Sequence, residues 1–208
     1  MRKFAGTKFA GVKFARLMAV CTFLLFSRFA HSQQFDVAVG GGTLFSTHNI
    51  TASEAYPAPA ERGGVYPSAS IERIFKNHYG YSAEIAYRYN EGLYNDYQHF
   101  RPVLYDFNAV YAPRVGKKTT ADLTAGVGGE RVIFYPASGD CVYVGCSTHL
   151  DTNHLLFHVG GGIRYAFLQR FFIRPEANYY RIINNTADFH SDNVLRLGAS
   201  VGFTFHRD

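Results

Sequence analysis

From Phe35 onward, apolar residues recur at every second position rather than at the three-four spacing of a helix face, which is the period of extended strands. Eight segments carry this alternation, roughly 35–45, 65–75, 79–90, 102–112, 119–131, 154–166, 171–182 and 194–205, with the apolar face on odd numbers throughout. In the last of them Leu195, Leu197, Ala199, Val201, Phe203 and Phe205 alternate with Arg196, Gly198, Ser200, Gly202 and Thr204. The charges obey the same parity. Asp36, Glu72, Glu84, Arg88, Asp106, Asp122, Glu130, Arg164, Arg174, Glu176 and Arg196 all fall on even positions, against Arg73, Arg131 and Arg181 on odd ones.

Short connections (76–78, 113–118 and 167–170) alternate with long ones (about 46–64, 91–101, 132–153 and 183–193). An even number of strands, short turns at one end and long loops at the other predict an all-β fold. Its expected form is an eight-stranded antiparallel up-and-down transmembrane β-barrel. Each strand, 11 to 13 residues long, meets the roughly 9–11 residues needed to cross hydrocarbon at a tilt. Period-two alternation also fits a soluble barrel of the lipocalin type, with its apolar face inward around a ligand. Aromatic residues near strand ends on the apolar face (Phe35, Phe45, Tyr79, Tyr89, Tyr111, Tyr165, Phe203 and Phe205) favour the membrane form, where they would make interfacial girdles.

Composition divides the chain in two. The formal charge of +5 arises in residues 1–32, which carry Arg2, Lys3, Lys8, Lys13, Arg16 and Arg28 and no acid, leaving fifteen bases against sixteen acids elsewhere. Basicity confined to a leader gives no reason to expect a nucleic-acid partner. The basic stretch, the apolar run Leu17–Phe26 and the small-x-small sequence Ala30-His31-Ser32 form a secretory signal, with the barrel domain expected over 33–208. A ten-residue run is about half of what a spanning helix needs.

Export implies an oxidising compartment, so Cys141 and Cys146 in the third long loop are expected to form a disulfide. His149 and His154 follow them and offer zinc as the alternative. The glycine runs 40–42 and 160–162 lack the lysine and following helix of a phosphate loop, and read as room for close packing. His48, His99, His149 and His190 fall in the long loops beside Ser46, Ser147, Ser191 and Asp192. The segment Phe189-His-Ser-Asp-Asn193 resembles the His-x-Ser-Asn of lipid A deacylases, but its spacing differs by one residue. No catalytic residue, metal ligand or cofactor is assigned.

With its leader, eight amphipathic strands and closing strand LRLGASVGFTF, the chain resembles the small outer-membrane β-barrels of diderm bacteria, the OmpA transmembrane domain and OmpX among them. That resemblance implies a place in the outer membrane, contact with its lipid, and insertion by the barrel-assembly machinery, which reads the closing strand. Phe205 is followed by three more residues here, whereas the family usually ends on the aromatic. The expected role is structural or interactive, with the long loops presented to a surface ligand. A lipid-modifying enzyme, a narrow porin-like channel and a soluble binding barrel are the alternatives. Eight strands leave a lumen that side chains fill, so the eleven even-numbered charges are expected inside, with arginines clamped by carboxylates. Asp36 and Glu130, at strand ends, are expected to be the exposed members.

Overall fold

The computed structural model describes residues 34–46, 61–75, 78–94, 98–135, 150–185, 189 and 191–206. Nine strands follow in order: β1 (Gln34–Ser46), β2 (Gly63–Ile74), β3 (Tyr79–Tyr87), β4 (Gly92–Tyr94), β5 (Gln98–Tyr111), β6 (Thr119–Tyr135), β7 (Leu150–Ala166), β8 (Phe171–Ile182) and β9 (Asn193–His206). Eight of them close an antiparallel barrel in chain order, sealed by β1 against β9 and by β3 against β5. The three-residue β4 is the ninth. It resumes the line of β3 after a bulge at 88–91 and pairs with the start of β5.

Side-chain direction follows position parity. Val159, Phe107 and Val39 point outward with 61–71% of their surface exposed, whereas Arg196, Asp122 and Asp36 are at most 2% exposed. An apolar outside and a charged inside exclude a soluble barrel with an apolar cavity. The outer surface is a continuous apolar belt, of the kind that lipid covers in a membrane barrel. Aromatic residues mark its lower edge, where Phe35, Phe203 and Phe205 meet with ring centroids 5.0–5.7 Å apart. Tyr79 and Tyr111 pair at 4.9 Å along the same edge.

Several boundaries differ from those the periodicity predicts. β6 and β7 run on to Tyr135 and back to Leu150, pairing Phe134 with Leu150, so residues 132–135 and 150–153 of the expected third loop are strand. Continued pairing overrides the loss of alternation there. β3 ends at Tyr87 instead of 90, because the chain bulges at Arg88. The ladder between β7 and β8 skips from Gly162–Glu176 to Tyr165–Ile173. Pro175 lies in that gap, and its nitrogen has no hydrogen to donate.

The even-numbered glycines of the runs 40–42 and 160–162 are explained by the narrow lumen. A Cβ on Gly160 would fall 2.1 Å from Asn178 Oδ1, and one on Gly42 would fall 3.2 Å from Cγ of Arg196. Bare backbone at these points lets long side chains from neighbouring strands lie across it.

The outward assignment can be checked by depth. Val159→Arg, in the middle of the apolar span of β7, should cost about 2–4 kcal/mol in a bilayer, and Leu93→Arg on β4, beyond it, about 0–1. Equal cost in urea unfolding from lipid vesicles would contradict the faces. The chain has no Trp, so unfolding is followed by far-UV circular dichroism or gel mobility.

Candidate functional site

The interior is built in layers. Nearest the short turns, Arg164 on β7 reaches Asp36 on β1, Glu72 on β2 (2.7 Å) and Asp122 on β6 (2.9 Å). Its guanidinium also lies 4.5 Å from the centre of the Phe172 ring. Arg174 on β8 shares Glu72 (2.9 Å) and reaches Glu176 (3.1 Å). Higher up, Arg196 on β9 is held by Glu84 of β3 and by Glu176 at 3.0 Å. Each of these guanidiniums therefore meets at least two carboxylates, the arrangement a dry interior requires of a buried cation. Ser200 joins the network, with Arg174 Nε and Glu176 Oε2 each 3.3 Å from its hydroxyl.

Asp106 has no arginine within 4 Å among the described residues. It accepts a 2.5 Å hydrogen bond from Asn108 Nδ2 and lies 3.8 Å from Nδ1 of His158. That orients Asn108 with its oxygen toward His158 Nδ1, at 2.7 Å. The other ring nitrogen faces Asn178 Oδ1 at 3.1 Å, and the ring stacks on Tyr180. His158 is not among the residues that sequence reasoning selects for the lumen. Its even position on a strand is the available signal.

Above this polar stack lies an apolar layer: Leu44, Tyr66, Leu104, Leu156, Tyr180, Ile182 and Val194, all at most 1% exposed. Beyond it Glu61 enters from the connection before β2 and lies close to Glu130 of β6, both carboxyl groups buried. Asn185 Nδ2 reaches Glu61 Oε2 at 3.4 Å and the Ser191 carbonyl at 3.0 Å. Phe189 then packs on Phe100 and Phe134, with centroids 5.1 and 6.4 Å away. Among the described residues, Glu61, Asn185 and Phe189 thus fill the long-loop mouth.

Several expectations are corrected here. Asp36 and Glu130 are buried, not exposed, because Asp36 grips Arg164 and Glu130 meets the incoming Glu61. Arg88 stands apart from the lower ion-pair stack. The bulge carries it to the upper layer, 5.2 Å from the Phe100 ring centre, where its charge acts on Glu61. His99 is on β5 rather than in a loop, 3.4 Å from Glu91. His154 points inward from β7 toward Thr152. The Ser191 hydroxyl holds a turn through the backbone of Asn193. Cys141, Cys146, His48, His149 and His190 lie outside the described residues.

Among the described residues, no group of three or more His, Cys, Asp or Glu side chains is placed to hold a metal ion. No helix there is long and apolar enough to cross a membrane.

This closed, charge-filled eight-stranded barrel is the fold of the small outer-membrane β-barrels. It is similar to Neisserial surface protein A, with a TM-score of 0.56 at 13% identity over 83% of this chain and 97% of that one. The N-terminal barrel of Pseudomonas aeruginosa OprF gives 0.54 at 12% over 83% and 97%. A major outer membrane protein from Thermus thermophilus gives 0.57 at 12% over 84% and 100%. No family model and no curated protein matches the sequence.

Two outcomes follow from these layers. Arg164→Met would leave three carboxylates facing one another and should destabilise the barrel by about 3–5 kcal/mol, measured as a lower urea midpoint in vesicles. The second concerns Glu61, whose carboxyl burial pushes up, while its neighbours Glu130 and Asn185 and the charge of Arg88 pull it down. A folded value above the unfolded one makes the mouth contacts strongest below the ordinary carboxylate pKa. They weaken as pH rises from there and lose this contribution once pH exceeds the raised value. Rate-corrected hydrogen exchange of residues 183–192 should therefore quicken with pH, and Glu61→Gln should flatten the dependence.

Proposed function

We propose that the protein is an integral outer-membrane barrel with a shut lumen, and that it acts as a rigid anchor presenting four connections to a surface ligand. These are 47–62, 88–97, 136–149 and 183–192. The short turns then face the periplasm. The fold, the leader at 1–32 and the aromatic-edged apolar belt support the location. Insertion by the barrel-assembly machinery through β9 belongs to the same reading.

The observation that carries the closed lumen is the apolar layer from Leu44 to Val194, stacked on the arginine–carboxylate network. An ion crossing it would shed water against apolar side chains after breaking buried ion pairs. The lumen cavity bordered by Glu84, His158, Arg174 and Asn178 measures about 20 Å³, room for roughly one water. The fold alone assigns no ligand. The paired extension of β6 and β7 and the short β4 give the surface connections a stiff base.

Purified protein should show no steady ion conductance in planar bilayers, and should migrate anomalously on gels until boiled. Stable open single-channel steps would replace the anchor by a channel. Recovery from cells without detergent would remove the membrane location itself.

A further inference from the structure

The two ends of the barrel carry opposite charge. The three short turns hold Lys76, Arg114, Lys117, Lys118 and Arg170, with no acid. Arg207 and Asp208, which follow β9 in the sequence, offset one another. The four long connections hold seven acids (Glu54, Glu61, Glu91, Asp96, Asp140, Asp188 and Asp192) against Arg62 and Arg88. Short turns need only residues that tolerate tight bends, so turn geometry does not require this run of bases.

Three of the bases converge. Arg114, Lys118 and Arg170 line one concavity of about 20 Å³ at the short-turn mouth, as small as the lumen cavity, so an anion would sit at its rim. Gln169, Thr120 and Thr204 add neutral polar groups to its wall, and Arg164 with Phe172 closes its inner end. Arg164 is already neutralised by Asp36, Glu72 and Asp122. The other three cations have no carboxylate within 4 Å among the described residues. Three exposed cations around one concavity repel one another and raise a positive potential there, which an anion at its rim relieves.

From this we infer that the short-turn mouth binds a phosphate-bearing anion between Arg114, Lys118 and Arg170. Phosphate suits the set because arginine forks match its oxygens two at a time while lysine supplies a point charge. Hydroxyls and amides can complete the oxygen shell. Phe172 and the Arg164 ion pairs stop the anion at the mouth, so the site is a receptor and not the entrance to a pore. Its periplasmic location rests on the orientation proposed above; the chemistry of the mouth does not. Two sources carry the same group: the headgroup of a phospholipid in the adjoining leaflet, and a soluble phosphate or pyrophosphate ester.

The test uses the barrel folded in octyl glucoside, which contains no phosphate, titrated calorimetrically with inorganic pyrophosphate at low salt. Wild type should saturate. The triple variant Arg114→Gln, Lys118→Gln, Arg170→Gln should bind at least about tenfold more weakly, the loss of one or more charge-assisted contacts. Its anomalous gel migration should remain, showing that it still folds. Lys118→Arg should retain binding, and Arg62→Gln with Arg101→Gln, toward the opposite end, should leave it unchanged. Equal affinity in wild type and the triple variant, or no saturation at millimolar pyrophosphate, would overturn the site. In phosphatidylglycerol nanodiscs, weaker pyrophosphate binding that the triple variant does not show identifies the headgroup as occupant. Unaltered binding there identifies a soluble phosphate. Protease shaving of intact cells reports orientation separately, since binding in detergent does not depend on it.

Discussion

Hydrocarbon offers a backbone amide no water, so every N–H and C=O within it needs a partner from the protein. Here the first strand meets the last to satisfy that demand, with Phe35 through Ser46 running against His206 through Val194. Much else depends on this closure. With eight strands, the interior has space for side chains but little for solvent. Glycines must then lie beneath long neighbours, as Gly42 does beneath Arg196. Departures from regular pairing are few and have local causes, the nitrogen of Pro175 being the plainest.

Confinement also governs the charges. Taking an arginine and a carboxylate out of water costs several kcal/mol for each ion, and their attraction offsets this only when geometry and hydrogen bonding are good. Arg164 and Arg174 meet that condition by sharing carboxylates from β1, β2, β6 and β8. Such pairs are weak evidence of net stability. Their contribution here is to tie strands across the barrel, which opposes register slips that would turn a charge toward lipid. The apolar layer above them adds burial that needs no such pairing.

The two mouths are built on different terms. At the long-loop end, Glu61, Asn185 and Phe189 fold inward, so loop residues become part of the core. The short-turn end carries a small basic concavity below Arg164. Among the described residues, one end is filled by side chains of the connections themselves. The other presents positive charge to whatever lies beyond it.

Local alternation determined a great deal. A strand's two faces differ by one residue, so the sequence around Leu195–Phe205 or Tyr79–Tyr87 already separates lipid-facing from lumen-facing positions, and the even-numbered charges are marked as interior. Partnership could not be read that way. Arg164 reaches Asp36 across 128 positions and Arg174 reaches Glu72 across 102, contacts set by the closed register of the whole barrel. Nor could local pattern place Glu61, a connection residue with no period of its own, against Glu130. The paired extension of β6 and β7 and the displacement of Arg88 by a bulge likewise depend on a neighbouring strand. Alternation is a property of each strand by itself, whereas every interior contact depends on the angle and offset at which eight strands meet. Only tertiary closure fixes those.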